Sequence, residues 1–258
     1  MENALLVGLS RQMALSNELD IVANNIANID TTGYKSDNAL FGAFLMPDAR
    51  DDDFSGNDRR VSFVQERGNW IDFSTGALQR TGNPLDVAIS GNAFLAVQTP
   101  RGQRYTRNGA LSTNAAGELV TSEGFPVLGT GGPITFQPGD RDIIISPNGI
   151  VTVRDSGGNA NAPRGKLQLV GFAQPQQLSK DGGSLFAPAP GVNPGAAPQG
   201  TTVVQGAIEK SNVNAVAEIS RMIEITRSYT DIANILQQQS EQRRNALTQL
   251  SQTPNATS

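Results

Sequence analysis

From Met1 to Ile29 one line of residues recurs in alternating steps of four and three: Met1, Leu5, Gly8, Gln12, Leu15, Leu19, Val22, Ile26 and Ile29. That spacing keeps one seam of an α-helix facing a partner helix. Leu6, Leu9 and Met13 widen the stripe over the first turns, and Arg11, Asn17, Asp20, Asn24 and Asn28 occupy the opposite face. Thr31-Thr32-Gly33 ends the pattern, with Gly33 suited to the left-handed position that closes helices. A lone amphipathic helix of about 30 residues is marginal in water and needs a surface for its stripe.

The matching stripe lies at the other end of the chain. Ile219, Met222, Thr226, Tyr229, Ala233, Leu236, Ser240, Arg243, Leu247 and Leu250 continue the same steps, and Ile225 and Ile232 broaden the first half. Burying some ten side chains at about 1.5–3 kcal/mol each offsets much of the ordering entropy of two helices. The candidate seam is therefore Leu5, Leu15, Leu19, Val22, Ile26 and Ile29 against Ile219, Met222, Tyr229 and Leu236. Ser251 to Ser258 reads as a polar tail.

Between the helices the period changes. Leu85 to Ile89 alternates, Phe94 to Gln98 follows a turn at Ser90-Gly91-Asn92, and Asn108-Gly109 predicts a hairpin within Tyr105 to Leu111. Further glycine turns fall at Gly117, Gly124, Gly131-Gly132 and Gly149, with strands at 142–146, 150–153 and 166–172. The 27 glycines and 14 prolines suit many short strands. The expected fold class is α+β: long N- and C-terminal helices pairing as a coiled coil, with an inserted all-β domain of sandwich or barrel-like build. The boundaries are 1–33 and 213–258 for the helical part, 34–80 for a linker or extended region, and 81–212 for the β domain. Asp48 to Arg60 and the proline-bearing Ala187 to Gly200 read as loops.

Two zeros narrow the chemistry. Without cysteine there is no disulfide, thiol nucleophile or Cys zinc site, and without histidine there is no Ser-His-Asp triad or His-bound metal. A net charge of −4 gives no footprint for nucleic acid. No stretch has the roughly 18–20 apolar residues of a membrane span. Gly129-Thr-Gly131-Gly132-Pro133 fits a turn rather than a phosphate loop, and Asp51-Asp52-Asp53 lacks the spacing of a calcium loop. Asp86, Glu118 and Glu123 read as surface acids, and Trp70 as a core anchor. No catalytic, cofactor-binding or metal-binding residue emerges, so no enzyme activity, cofactor or small-molecule substrate is expected. Met1-Glu2-Asn3 followed by a short apolar run does not form a cleavable secretory signal.

Leu19-Asp-Ile-Val-Ala-Asn-Asn-Ile-Ala-Asn-Ile-Asp-Thr-Thr-Gly-Tyr-Lys35 resembles the N-terminal signature of the flagellar axial proteins of rod and hook. Thr81-Gly-Asn-Pro-Leu-Asp-Val-Ala-Ile-Ser-Gly-Asn-Ala-Phe-Leu-Ala-Val97 resembles the start of their β domain. Tyr105 to Gly109, Leu119 to Gly129, and Ser211-Asn-Val-Asn-Ala-Val with Glu218 to Tyr229 continue the match in order. The motif residues are Asn24, Asn25, Asn28 and Gly33, then Asn83, Pro84, Leu85 and Asp86. The opening residues and the length are most similar to the proximal-rod members, then the distal-rod ones.

The resemblance implies a structural subunit of the flagellar basal-body rod in the periplasm. It implies assembly with copies of itself and other rod proteins, and export through the flagellar type III apparatus without cleavage. A distal-rod or hook-type axial protein is the near alternative. A periplasmic glycan-binding or glycan-active β-protein on a helical stalk is the alternative from another class, and it would need an aromatic-lined cleft.

Overall fold

The computed structural model describes residues 2–46, 61–159 and 161–252. The chain divides into two compact units, one of residues 1–26, 37–70 and 215–258, the other of residues 27–36 and 71–214. The architecture is α+β, with helices at both ends of a β-rich middle. The loop expected over Asp48 to Arg60 and the end of the polar tail lie outside the described residues.

The first unit holds α1 (Glu2–Ala27), α2 (Ala215–Gln252) and a two-stranded sheet of Asp37–Met46 with Val61–Ile71. That sheet occupies part of the stretch read as linker or extended chain. The helix α1 stops at Ala27, before the Thr31-Thr32-Gly33 terminator, because the Thr31 amide and hydroxyl turn back on the Asn28 carbonyl and side chain, at 3.2 and 3.1 Å. Ile29, read as the last seam position, therefore sits in the turn beyond α1. Trp70 is a correction: it is 42% exposed at the end of its strand, not a core anchor.

The second unit is built on a six-stranded antiparallel sheet. Its order is Leu178–Lys180, Leu185–Pro188, Gly102–Thr106, Phe94–Thr99, Leu169–Gly171 and Gly195–Ala196. A three-stranded sheet of Arg141–Ile145, Ile150–Arg154 and Ala162–Lys166 accompanies it, with four short strand pairs.

Phe94–Thr99 is covered on both faces. Leu95 and Val97 enter a core with Val87, Ile89, Leu119, Val127, Ile134 and Val151. Phe94 and Ala96 face the other way, toward Tyr105, Phe172, Leu178 and Phe186. Successive residues point to opposite faces of a strand, so a strand buried on both reads as an unbroken apolar run. The second core is aromatic, its rings meeting edge to face: Phe94 and Phe172 at 5.8 Å, Tyr105 and Phe172 at 4.9 Å.

The hairpin expected at Asn108-Gly109 does not form. Gly102–Thr106 pairs with Phe94–Thr99 and with Leu185–Pro188, while Leu111–Thr113 pairs with Leu119–Thr121. Gly109 serves another purpose. Its carbonyl accepts from the Val87 amide at 2.9 Å, and a Cβ there would lie 1.7 Å from the Val87 carbonyl oxygen. The Asn108 carboxamide oxygen accepts from the Ala110 amide at 3.0 Å, a local turn of the asparagine type that spans the close approach. The glycine turn over residues 129–132 does form, with Leu128–Gly129 paired to Gly132–Pro133.

Candidate assembly site

In the first unit, Leu15, Val22 and Ile225 are buried together, with Leu19, Ile26, Met222, Tyr229 and Ile232 packed against them. Six of the seam residues thus meet: Leu15, Leu19, Val22 and Ile26 from α1, Met222 and Tyr229 from α2. Ile225 and Ile232 lie deeper in this contact than Ile219, which is exposed. Further along, a Cβ on Gly8 would lie 2.7 Å from Leu236 Cδ2, so the Leu236 side chain rests on bare α1 backbone. The side chain of Leu5 lies outside the described residues. Glu18 Oε1 accepts from Arg221 Nε and Nη2 at 3.0 and 2.7 Å, beside the apolar contact.

Much apolar surface stays uncovered on the same helices. Leu6, Leu9 and Met13 form an exposed line on α1, and Val216, Ile219 and Ile223 form another on α2, with Val216 75% exposed. Residues three or four apart on a helix share a face. Contiguous exposed apolar side chains of this kind mark a surface made for another protein.

Asn25 is fully buried in the first unit. Its carboxamide pairs with Asp37 as a neighbouring strand would, accepting from the Asp37 amide at 3.0 Å and donating to the Asp37 carbonyl at 2.8 Å. Asn24 is exposed, and Asn28 forms the turn that ends α1.

The remaining motif residues build the second unit. Gly33 adopts φ +69°, and a Cβ there would meet the Asn108 amide nitrogen at 2.4 Å. The Asn83 side chain accepts from the Leu85 amide and donates to Asp86 Oδ1 at 2.9 Å, while Gln205 donates to the Pro84 carbonyl. Leu85 packs on the first β core. Asp86 corrects the sequence reading, being buried rather than a surface acid. Glu118 is half-buried and accepts from Asn114 at 2.8 Å, and Glu123 is exposed.

Three charged residues that the sequence reading assigned no role lie at the centre of this region. Lys35 and Glu209 are fully buried and Arg107 nearly so. Lys35 Nζ donates to Glu209 Oε1 at 2.5 Å and to the Ser74 carbonyl at 2.6 Å. Arg107 Nε donates to Glu209 Oε2 at 2.7 Å, and its other nitrogens donate to the carbonyls of Gly91, Ala93 and Ile89. Glu209 Oε1 also accepts from the Gly76 amide at 2.9 Å. Burial pushes the Lys35 ammonium below its ordinary range, the Glu209 carboxylate opposes that shift, and Arg107 adds to it. The sequence signals were Lys35 closing the N-terminal motif and Arg107 within the Tyr105 to Gly109 match; nothing links either to Glu209, which is 174 positions from Lys35.

Among the described residues no group of acidic side chains could hold a metal, and no helix is long and apolar enough to cross a membrane. A chain that buries one apolar stripe of each long helix and leaves others exposed is made as a subunit of a larger structural assembly.

The comparisons with known proteins name that assembly. Residues 5–35 match the family model described as flagella basal body rod protein, residues 88–153 the flagellar hook protein FlgE/F/G D1 domain, and residues 204–250 the flagellar basal body rod FlgEFG protein C-terminal model. The flagellar basal-body rod protein FlgF of Caulobacter vibrioides is 40% identical over 97% of this chain and 98% of its own. FlgF of Mesorhizobium japonicum is 34% identical over 92% of this chain and 93% of its own. FlgG of Agrobacterium fabrum is 34% identical over 88% and 91%. The chain belongs to the flagellar basal-body rod protein family.

Proposed function

We propose that this chain is a structural subunit of the proximal part of the flagellar rod, joined to copies of itself and other rod proteins in the shaft that carries torque from motor to hook. The near full-length similarity to proteins named FlgF carries this reading. In it, α1 and α2 form a coiled-coil assembly domain through the seam of Leu15, Leu19, Val22 and Ile26 with Met222 and Tyr229. The β-rich unit of residues 27–36 and 71–214 is the other compact part of the subunit.

The exposed lines Leu6-Leu9-Met13 and Val216-Ile219-Ile223 support such an assembly, since a rod subunit covers them with its neighbours. Repeated head-to-tail contacts that do not close generate an open helical filament, the form a shaft requires. The subunit acts mechanically rather than as an enzyme. It reaches the periplasm through the flagellar type III apparatus with its N-terminus intact, a route that suits a chain without disulfides.

Cryo-electron microscopy of purified basal bodies tests the reading. Density for this chain in the rod wall is the expected result, and its absence from the rod overturns it. A Leu19→Asp strain is expected to be non-motile, because a carboxylate in the packed seam costs several kcal/mol.

A further inference from the structure

Residues 27–36 belong to the β-rich unit although they continue from the end of α1 and lie well before the paired strands of that unit, which begin at Leu78. Apart from the buried ring of Tyr34, which Lys180 Nζ overlies at 3.8 Å, their attachment is through hydrogen bonds. The Gly33 amide donates to the Glu209 carbonyl at 2.7 Å, and the Ser184 hydroxyl to the Thr32 carbonyl at 3.1 Å. The Ser36 amide donates to the Asn212 side chain at 2.8 Å, and the Ser36 carbonyl accepts from the Asp72 amide at 2.9 Å. Asn212 Nδ2 reaches the Asp72 carbonyl at 2.8 Å, which draws a second segment into the same junction. None of residues 27–36 enters either hydrophobic core of this unit. The segment is a strap laid on a finished β structure, and the buried charges sit beneath it.

We propose that Lys35, Arg107 and Glu209 form a charge clasp that holds the strap 27–36 closed, and that the strap opens as a local unit when Glu209 is neutralised. The three charges are not equivalent. Arg107 keeps the carbonyls of Ile89, Gly91 and Ala93 whether or not Glu209 is charged. Lys35 has Glu209 and one carbonyl, that of Ser74.

A buried ion left without its partner is strongly destabilising, and the remedy open to it is to reach water. Arg107 cannot leave without dismantling the chain around Ile89. Lys35 can, because it rides on the strap. Loss of the Glu209 charge therefore expels Lys35 and takes the strap with it, while the cores around Leu95 and Phe94 remain packed. The same geometry sets an order of events. Lys35 and Glu209 are 174 residues apart, so the strap closes only when nearly the whole chain is available.

Amide hydrogen exchange read by mass spectrometry on the full chain tests the proposal, using Glu209→Gln, Lys35→Met and the double variant. In Glu209→Gln, residues 33–36 and 72–77 are expected to exchange at least tenfold faster, with 94–97 unchanged. In the double variant, which removes the stranded ammonium, most of that protection returns. Equal acceleration of the strap and of 94–97 in Glu209→Gln overturns the proposal, since the clasp would then support the unit as a whole. So does a double variant no better protected than Glu209→Gln, because charge balance would then not govern the strap. Should Glu209→Gln fail to fold, the double variant decides alone: a folded, strap-protected chain supports the clasp, and an unfolded one overturns it.

Discussion

Asn25 and Asp37 are joined by two hydrogen bonds that reproduce the pairing of two β strands, one from the Asp37 amide to the Asn25 carboxamide oxygen and one returned to the Asp37 carbonyl. A side chain thereby satisfies both backbone groups of the first residue of the strand Asp37–Met46. Asparagine is the right choice because its carboxamide carries one acceptor and a donor group side by side, as a peptide does. Asn25→Ala removes both bonds from a buried site and is expected to cost about 1–3 kcal/mol. Urea unfolding checks this, and an unchanged midpoint would show that the pairing contributes nothing to stability.

Two glycines separate close approach from backbone conformation. A Cβ at Gly109 would lie 1.7 Å from the Val87 carbonyl oxygen, and backbone cannot yield as a flexible side chain can. Gly124 has φ +85° but open space around it, so Gly124→Ala carries only the left-handed penalty of about 1 kcal/mol. Gly109→Ala is expected to be the far more damaging change, with a thermal midpoint well below that of Gly124→Ala. Equal midpoints would contradict the steric account.

What could be read from the sequence followed from periodicity. The alternating steps of α1 and α2 identified Leu15, Leu19, Val22, Ile26, Met222 and Tyr229, and these residues do meet. Asn108-Gly109 misled because a glycine needed for close approach is indistinguishable in sequence from one needed for a tight turn. Asp86 and Glu209 were hidden for a related reason: a buried acid differs from a surface acid only in its partners. Those partners, Asn83 for one and the distant Lys35 and Arg107 for the other, are set by tertiary structure.

Acid acts on the β-rich unit through paired carboxylates that are largely shielded from solvent. Two guanidinium hydrogen bonds from Arg164 hold Asp140 below the usual carboxylate range, and Arg104 does the same for Asp181. A carboxyl group with a depressed folded value contributes stability that is complete above its unfolded value, near 3.8, and is lost as pH falls through the folded value. Stability is therefore expected to decline below about pH 4, and Arg164→Gln to flatten part of that decline. Urea midpoints at pH 6 and pH 3 measure both. An acid loss of the same size in Arg164→Gln would exclude the Asp140 pair as a contributor.

The helices offer two kinds of substitution that an assembling subunit must distinguish. Val22 is fully buried in the contact between α1 and α2, whereas Leu9 and Met13 are exposed, Met13 by 61%. Val22→Asp strands a carboxylate in that contact and is expected to cost several kcal/mol, loosening the helices in the isolated chain as well as stopping motility. Replacing Leu9 and Met13 by serine removes no buried contact, so the isolated chain should keep its stability to within about 0.5 kcal/mol per site. The same replacement removes apolar surface that neighbouring subunits are proposed to cover, and motility is expected to fall. Thermal unfolding of the purified variants beside swimming assays separates the two effects. A freely swimming Leu9→Ser/Met13→Ser strain would show that this line of α1 faces no neighbour in the rod.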